Sequence, residues 1–203
     1  MENFRYCSPT EFIFGRGVQS ETGAALKRYG AQKVMIVYGS DRIKKDGLFD
    51  EVTKSLDAKG IAWTEFGGIS PNPTAESVYA GIAKAVAEGV DFLLAIGGGS
   101  PIDAAKGIAL GAVTTEDFWN FYNGTSQPVA ALPVGVVLTI PAAGSEGSGN
   151  SVITNEKTHQ KISVRYPFLL RPRFAVMNPE LTYSLPWFQT ACGIVDMMAH
   201  IYE

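Results

Sequence analysis

Asp196 and His200 stand four residues apart near the end of the sequence, which puts a carboxylate and an imidazole on one helical face. Those donors together suit a divalent metal, Fe2+ or Zn2+. Sites for such ions commonly take about three or four protein ligands, so the pair alone is an incomplete set. Ile194, Val195, Met197, Met198, Ala199 and Ile201 make the surrounding helix apolar nearly all round, which predicts burial. A plain Asp–His hydrogen bond fits the same spacing. The other histidine, His159, lies in a polar turn and is expected to be exposed.

A second chemistry is written in Gly97-Gly98-Gly99-Ser100-Pro101-Ile102-Asp103, directly after an apolar run. Three glycines let a backbone approach a ligand with no Cβ between them. Ser100 reads as an N-cap, Pro101 as the first helical residue and Asp103 as a capping-box acid. A helix starting there aims free N–H groups and its positive dipole end at the turn, where a pyrophosphate would bind. The spacing is not G-x-G-x-x-G, so the usual dinucleotide fingerprint is absent.

Gly39-Ser40-Asp41 is a second candidate nucleotide contact, at the end of the first strand of the alternating region, where adenosine ribose is usually read. A plain turn explains it equally well. The small-residue loop from Pro141 to Asn150 suits close approach to a cofactor, or a flexible surface loop. Lys161 has the reach for a phosphate or ribose, although a lone lysine is usually a solvated surface group.

Apolar runs must position these turns. Lys33 to Tyr38, Ile61 to Phe66, Val90 to Ile96 and Val134 to Ile140 read as buried strands. Leu48, Val52, Leu56 and Ala58 fall at near-helical spacing between the first two, and Val78, Ile82, Ala85 and Val86 between the next two. Alternation of this kind predicts a Rossmann-like α/β fold, a parallel sheet with helices on both faces. Beyond Pro141, Ser151 to Thr154 and Lys161 to Val164 read as two short strands around a polar turn, and Phe174 to Met177 as another. From Pro186 the texture becomes helical and apolar. The expected organisation is a dinucleotide-binding domain over residues 1–185, with residues 186–203 the cut-off start of a helical second domain.

A net charge of −3 offers no basic surface for nucleic acid or for a membrane. No uncharged apolar stretch reaches the roughly 18 residues of a bilayer span, and no signal peptide is visible. Cys7 and Cys192 are far apart and read as free thiols in a reducing compartment, which makes the cytoplasm the expected setting.

Taken in order, PNP at Pro71 to Pro73, GGGSPIDAAK at Gly97 to Lys106 and LTIPAAGSE at Leu138 to Glu146 lead to Lys161. NPELTYSLP at Asn178 to Pro186 and GIVDMMAH at Gly193 to His200 follow. This series resembles the iron-containing (group III) alcohol dehydrogenases, especially their butanol dehydrogenase and aldehyde reductase branch. The resemblance implies an active site in a cleft between a Rossmann-like domain and an all-helical one. It implies that Gly98, Gly99 and Ser100 bind the cofactor pyrophosphate, with Asp103 at the same turn. Thr139, Ser145, Lys161 and Leu181 would line the rest of the nicotinamide cofactor, and Asn72 would lie nearby. Asp196 and His200 match the first two metal ligands, the family's other two histidines lying downstream. The substrate implied is a small alcohol or aldehyde, and a homodimer stays open as the assembly. Ala143 departs from the family's usual threonine, and Ser40-Asp41-Arg42 from the branch's usual glycines and serine. Gly39 aligns with the ribose-reading acid of NAD-using relatives, so NADP(H) is expected over NAD(H), with Arg42 a partner for the 2′-phosphate and Asp41 a competing acid. The competing readings are a glycerol dehydrogenase or dehydroquinate synthase type of enzyme, and a nucleotide-binding fragment without turnover.

Overall fold

The computed structural model describes residue 3 and residues 7–202. In chain order its elements are β1 (Glu11–Phe14), α1 (Thr22–Arg28), β2 (Lys33–Tyr38), α2 (Arg42–Lys45), α3 (Leu48–Asp57), β3 (Ala62–Phe66), α4 (Ala75–Ala87) and β4 (Phe92–Gly97). There follow α5 (Gly99–Gly111), α6 (Trp119–Tyr122), β5 (Val134–Leu138), β6 (Asn150–Asn155), β7 (Gln160–Arg165), α7 (Pro167–Leu170), β8 (Phe174–Met177) and α8 (Trp187–Tyr202).

Six strands form one parallel sheet in the order β1-β8-β5-β4-β2-β3, and β6 and β7 make a separate antiparallel pair. Side chains alternate across a strand, and here both faces are covered. Val34 and Ile36 of β2 join Phe92, Leu94 and Ile96 of β4 against α1 and α3, through Leu26, Val52 and Leu56. Met35, Val37, Leu93 and Ala95 pack the other way, onto Val78 of α4, Ile102 and Ile108 of α5, and Tyr122 of α6. That is why β2 and β4 read as continuous apolar runs.

After β2 the chain moves outward to β3 and then returns to place β4 on the other side of β2. The carboxyl ends of β2 and β4 therefore flank a point where the winding reverses, and ligands of open α/β sheets bind at such points.

Several expectations change. Ala58 lies past the end of α3 and is exposed, and Val86 is exposed on α4. An edge strand, β1, pairs with β8 (Glu11 opposite Phe174), although EFIF carries no strong signal of its own. The largest correction is α8: no side chain of this apolar helix is buried. Its hydrophobic residues make no core with the sheet, because both faces of the sheet already carry helices.

Candidate functional site

The chain leaves β4 through Gly97 and enters α5 at Gly99, with Gly98 in the N-cap position and extended (φ −92°, ψ −156°). Helix α5 thus starts two residues earlier than a Ser100 cap would allow, since three glycines let the backbone turn straight off the strand. No side chain caps it. The first-turn N–H groups are left to whatever lies in front of the helix.

What lies in front is a cleft of about 530 Å³, lined by Gly39 and Ser40 after β2, Gly98 after β4, Thr139 after β5 and Leu181. Five of the residues expected to touch a nucleotide thus meet around one space. Gly99 and Ser100 form the first turn of α5 beside it. The two glycines differ in what a side chain would meet. A Cβ on Gly98 would lie 2.5 Å from Ile140 Cγ2, whereas one on Gly99 meets nothing within 4 Å. Gly98 lets the β4 and β5 turns pack together, and Gly99 fronts open space, room that a phosphate needs. The residues fit a dinucleotide.

Leu181 reaches the cleft through the 3-10 turn Pro179–Thr182. Asn178 holds that turn by accepting the Glu180 N–H (3.0 Å), while its Nδ2 donates to Gln19 Oε1 (3.1 Å). Ser184 and Leu185, which lead into α8, also line the cleft.

Asp103 and Ser145 face inward instead. Ser145 Oγ donates to Asp103 Oδ1 (2.7 Å), and the Val152 N–H donates to the other oxygen (3.1 Å), so Asp103 does not cap α5. At the centre of this network is Lys106, fully buried, which sequence reasoning passed over. Its ammonium donates to Ser145 O (2.8 Å), Ser145 Oγ (2.9 Å), Ser148 O (2.9 Å) and Asn150 O (2.8 Å). Burial lowers the Lys106 pKa to about 8, against the opposing pull of Asp103 and Glu146. Burial also pushes the Asp103 carboxyl up, with Ser145, Lys106 and the Val152 N–H pulling it back. One lysine thus ties the loop after β5 to helix α5. The only hint was a charged residue inside an apolar helical run.

Lys161 and Asn72 pair with each other, Nζ to Oδ1 at 2.6 Å, with Asn72 in the left-handed region (φ 57°). Both are apart from the cleft lining. Ala143, where the family usually has threonine, is exposed in its loop.

Asp196 and His200 share a face of α8, with His200 Nε2 3.8 Å from Asp196 Oδ2 and both side chains more than half exposed. Among the described residues, no group of three or more His, Cys, Asp or Glu is placed to hold a metal ion. The pair has the right donor chemistry for iron or zinc but not a complete shell. His159 is exposed in the β6–β7 turn, and Cys7 and Cys192 are free, exposed thiols.

A family model described as iron-containing alcohol dehydrogenase matches residues 9–179. The chain is 43% identical over 203 residues to the probable NADH-dependent butanol dehydrogenase 1 of Bacillus subtilis, covering all of this chain and 52% of that protein. It is 38% identical over 206 residues to the NADPH-dependent aldehyde reductase YqhD of Escherichia coli, again covering all of this chain and 52% of that protein. The crystal structure of NADH-dependent butanol dehydrogenase A from Thermotoga maritima superposes with a TM-score of 0.94 at 42% identity, over all of this chain and 51% of that one. The chain thus spans about half the length of the relatives it matches. With the glycine turn at the sheet's reversal point, an α/β fold shared with these enzymes and a family match over most of its length, the chain belongs to the iron-containing alcohol dehydrogenase family.

Proposed function

We propose that the protein binds a nicotinamide dinucleotide in the cleft between the ends of β2 and β4 and serves hydride transfer to or from a small alcohol or aldehyde. The observation that carries this is the uncapped start of α5, opening through Gly98 and Gly99 onto the cleft at the point of sheet reversal. The α5 N–H groups and Ser100 receive the pyrophosphate. Gly39 and Ser40 face the adenosine half, and Thr139 and Leu181 the remainder. Asn72 and Lys161 approach from the hairpin side, with Lys161 exchanging Asn72 for the cofactor. Asp103 and Ser145 act indirectly, by holding the loop after β5.

Nicotinamide supplies or accepts the hydride. A divalent ion, Fe2+ or Zn2+, would be held in part by Asp196 and His200 and would supply Lewis-acid polarisation of the substrate oxygen. Residues 1–185 make the dinucleotide-binding domain, and residues 186–203 belong to the metal-binding helical one. The exposure of α8 supports that division, since its apolar residues take no part in the sheet's cores. The same exposure favours a second reading for this chain by itself, a nucleotide-binding unit without turnover. NADP(H) is the preferred cofactor, because Gly39 offers no acid to the ribose. The setting is cytoplasmic, in keeping with two free thiols, and among the described residues no helix is long and apolar enough to cross a membrane. A homodimer is the proposed assembly, on the exposed Phe12 and Phe14 of edge strand β1.

Titration of the chain with NADH and NADPH, followed by nicotinamide fluorescence, tests the proposal. Micromolar binding of at least one cofactor is expected, and Gly99→Val should weaken it at least about tenfold by filling the space before α5. A folded Gly99→Val protein with unchanged affinity would remove the pyrophosphate from this turn. Gly98→Val is the poorer probe, because its side chain meets Ile140 first.

A further inference from the structure

We propose that Asp46 is a specificity-determining residue for the cofactor, acting by restraining Arg42 at the ribose end of the cleft. This rests on the dinucleotide reading above. Arg42 and Asp46 both line the cleft beside Gly39 and Ser40, where a doubly wound sheet reads the adenosine ribose. Arg42 Nε lies 3.2 Å from Asp46 Oδ2, across one turn of α2, and both side chains are more than half exposed.

Arg42 is the one basic residue of the described lining. The other lining acids are engaged elsewhere: Glu51 accepts from Gln19 (2.9 Å), and Glu180 pairs with Arg16 (3.5 Å). Asp41, the acid the sequence offers as competitor, is absent from the lining and lies 3.8 Å from Lys44 Nζ. The carboxylate that meets Arg42 is therefore Asp46.

The two cofactors place different demands on this pair. A 2′-phosphate must draw Arg42 away from Asp46 and then sit near the carboxylate left behind. A 2′-hydroxyl leaves the pair intact. Because an exposed ion pair is weak, the exchange is within a phosphate's reach, yet it takes a share of the affinity that a free Arg42 would give. Asp46 thus tempers the NADP(H) preference created by Gly39.

The experiment is the ratio of NADPH to NADH affinity in the wild-type chain, in Asp46→Asn, in Arg42→Gln and in the double variant. Asp46→Asn should raise the ratio about fivefold, and Arg42→Gln should lower it by a similar factor. In the Arg42→Gln background Asp46→Asn should have a smaller effect, because no guanidinium remains to be released and only the repulsion between carboxylate and phosphate is relieved. A ratio unchanged by Asp46→Asn, with both cofactors still bound, overturns the proposal and leaves the dinucleotide site standing. A wild-type chain that binds neither cofactor overturns both.

Discussion

The mouth of the sheet and helix α8 both hold residues with recognisable chemistry, yet their surroundings differ in kind. At the mouth, Gly98, Thr139 and Leu181 are fixed by strands whose side chains are packed on both faces, and by a buried lysine that ties one loop to α5. On α8, Asp196 and His200 project from a helix with no buried side chain. A site needs its geometry held from behind as much as it needs the right donors. The cleft has that support, whereas Asp196 and His200 stand on a helix that buries none of its side chains.

Turnover breaks the comparison most visibly. With two donors and exposed surroundings, the 203-residue chain should bind metal weakly and show no measurable aldehyde reduction in steady-state assays with excess Fe2+ or Zn2+. Robust turnover abolished by His200→Ala would mean that α8 is already a competent metal site.

Stability sharpens the contrast at smaller scale. Lys106→Met strips the donor from three backbone carbonyls and from the Asp103–Ser145 pair, and should cost about 1–3 kcal/mol in urea denaturation. Val195→Ser, on the exposed face of α8, should change stability by less than about 0.5 kcal/mol. Lys106 also predicts a pH signature. Its folded pKa, about 8, lies below its ordinary 10.5, so the unfolded chain keeps the proton to higher pH. Between those values the Lys106 contribution to stability rises with pH, and Lys106→Met should remove that rise. A variant with wild-type stability and an identical pH profile would mean the network carries no load.

What the sequence made legible follows from how each signal arises. Strands β2 and β4 stood out because a parallel strand covered on both faces reads as an unbroken apolar run. The glycine turn stood out as three glycines in a row, of which Gly97 takes a positive φ (153°) and Gly98 leaves no room for a Cβ beside Ile140. The cap lies at Gly98, two residues before Ser100, since three glycines permit a helix to start without a capping side chain. Lys106 was hidden because its partners are mostly carbonyls of a loop some forty positions away, which no local pattern encodes. Asp46 was hidden because it meets Arg42 only once α2 has formed. Helix α8 was read as buried from its composition, but composition states only that a face seeks cover.

On the proposed reading, the dinucleotide site is complete without Asp196 and His200. Nicotinamide fluorescence titration of the wild-type chain, of Asp196→Ala/His200→Ala and of Gly99→Val tests it directly. Affinity should stay within about twofold when both α8 donors are removed, and should fall at least about tenfold in Gly99→Val. A tenfold loss on removing Asp196 and His200 would contradict the account and make α8 part of the cofactor site.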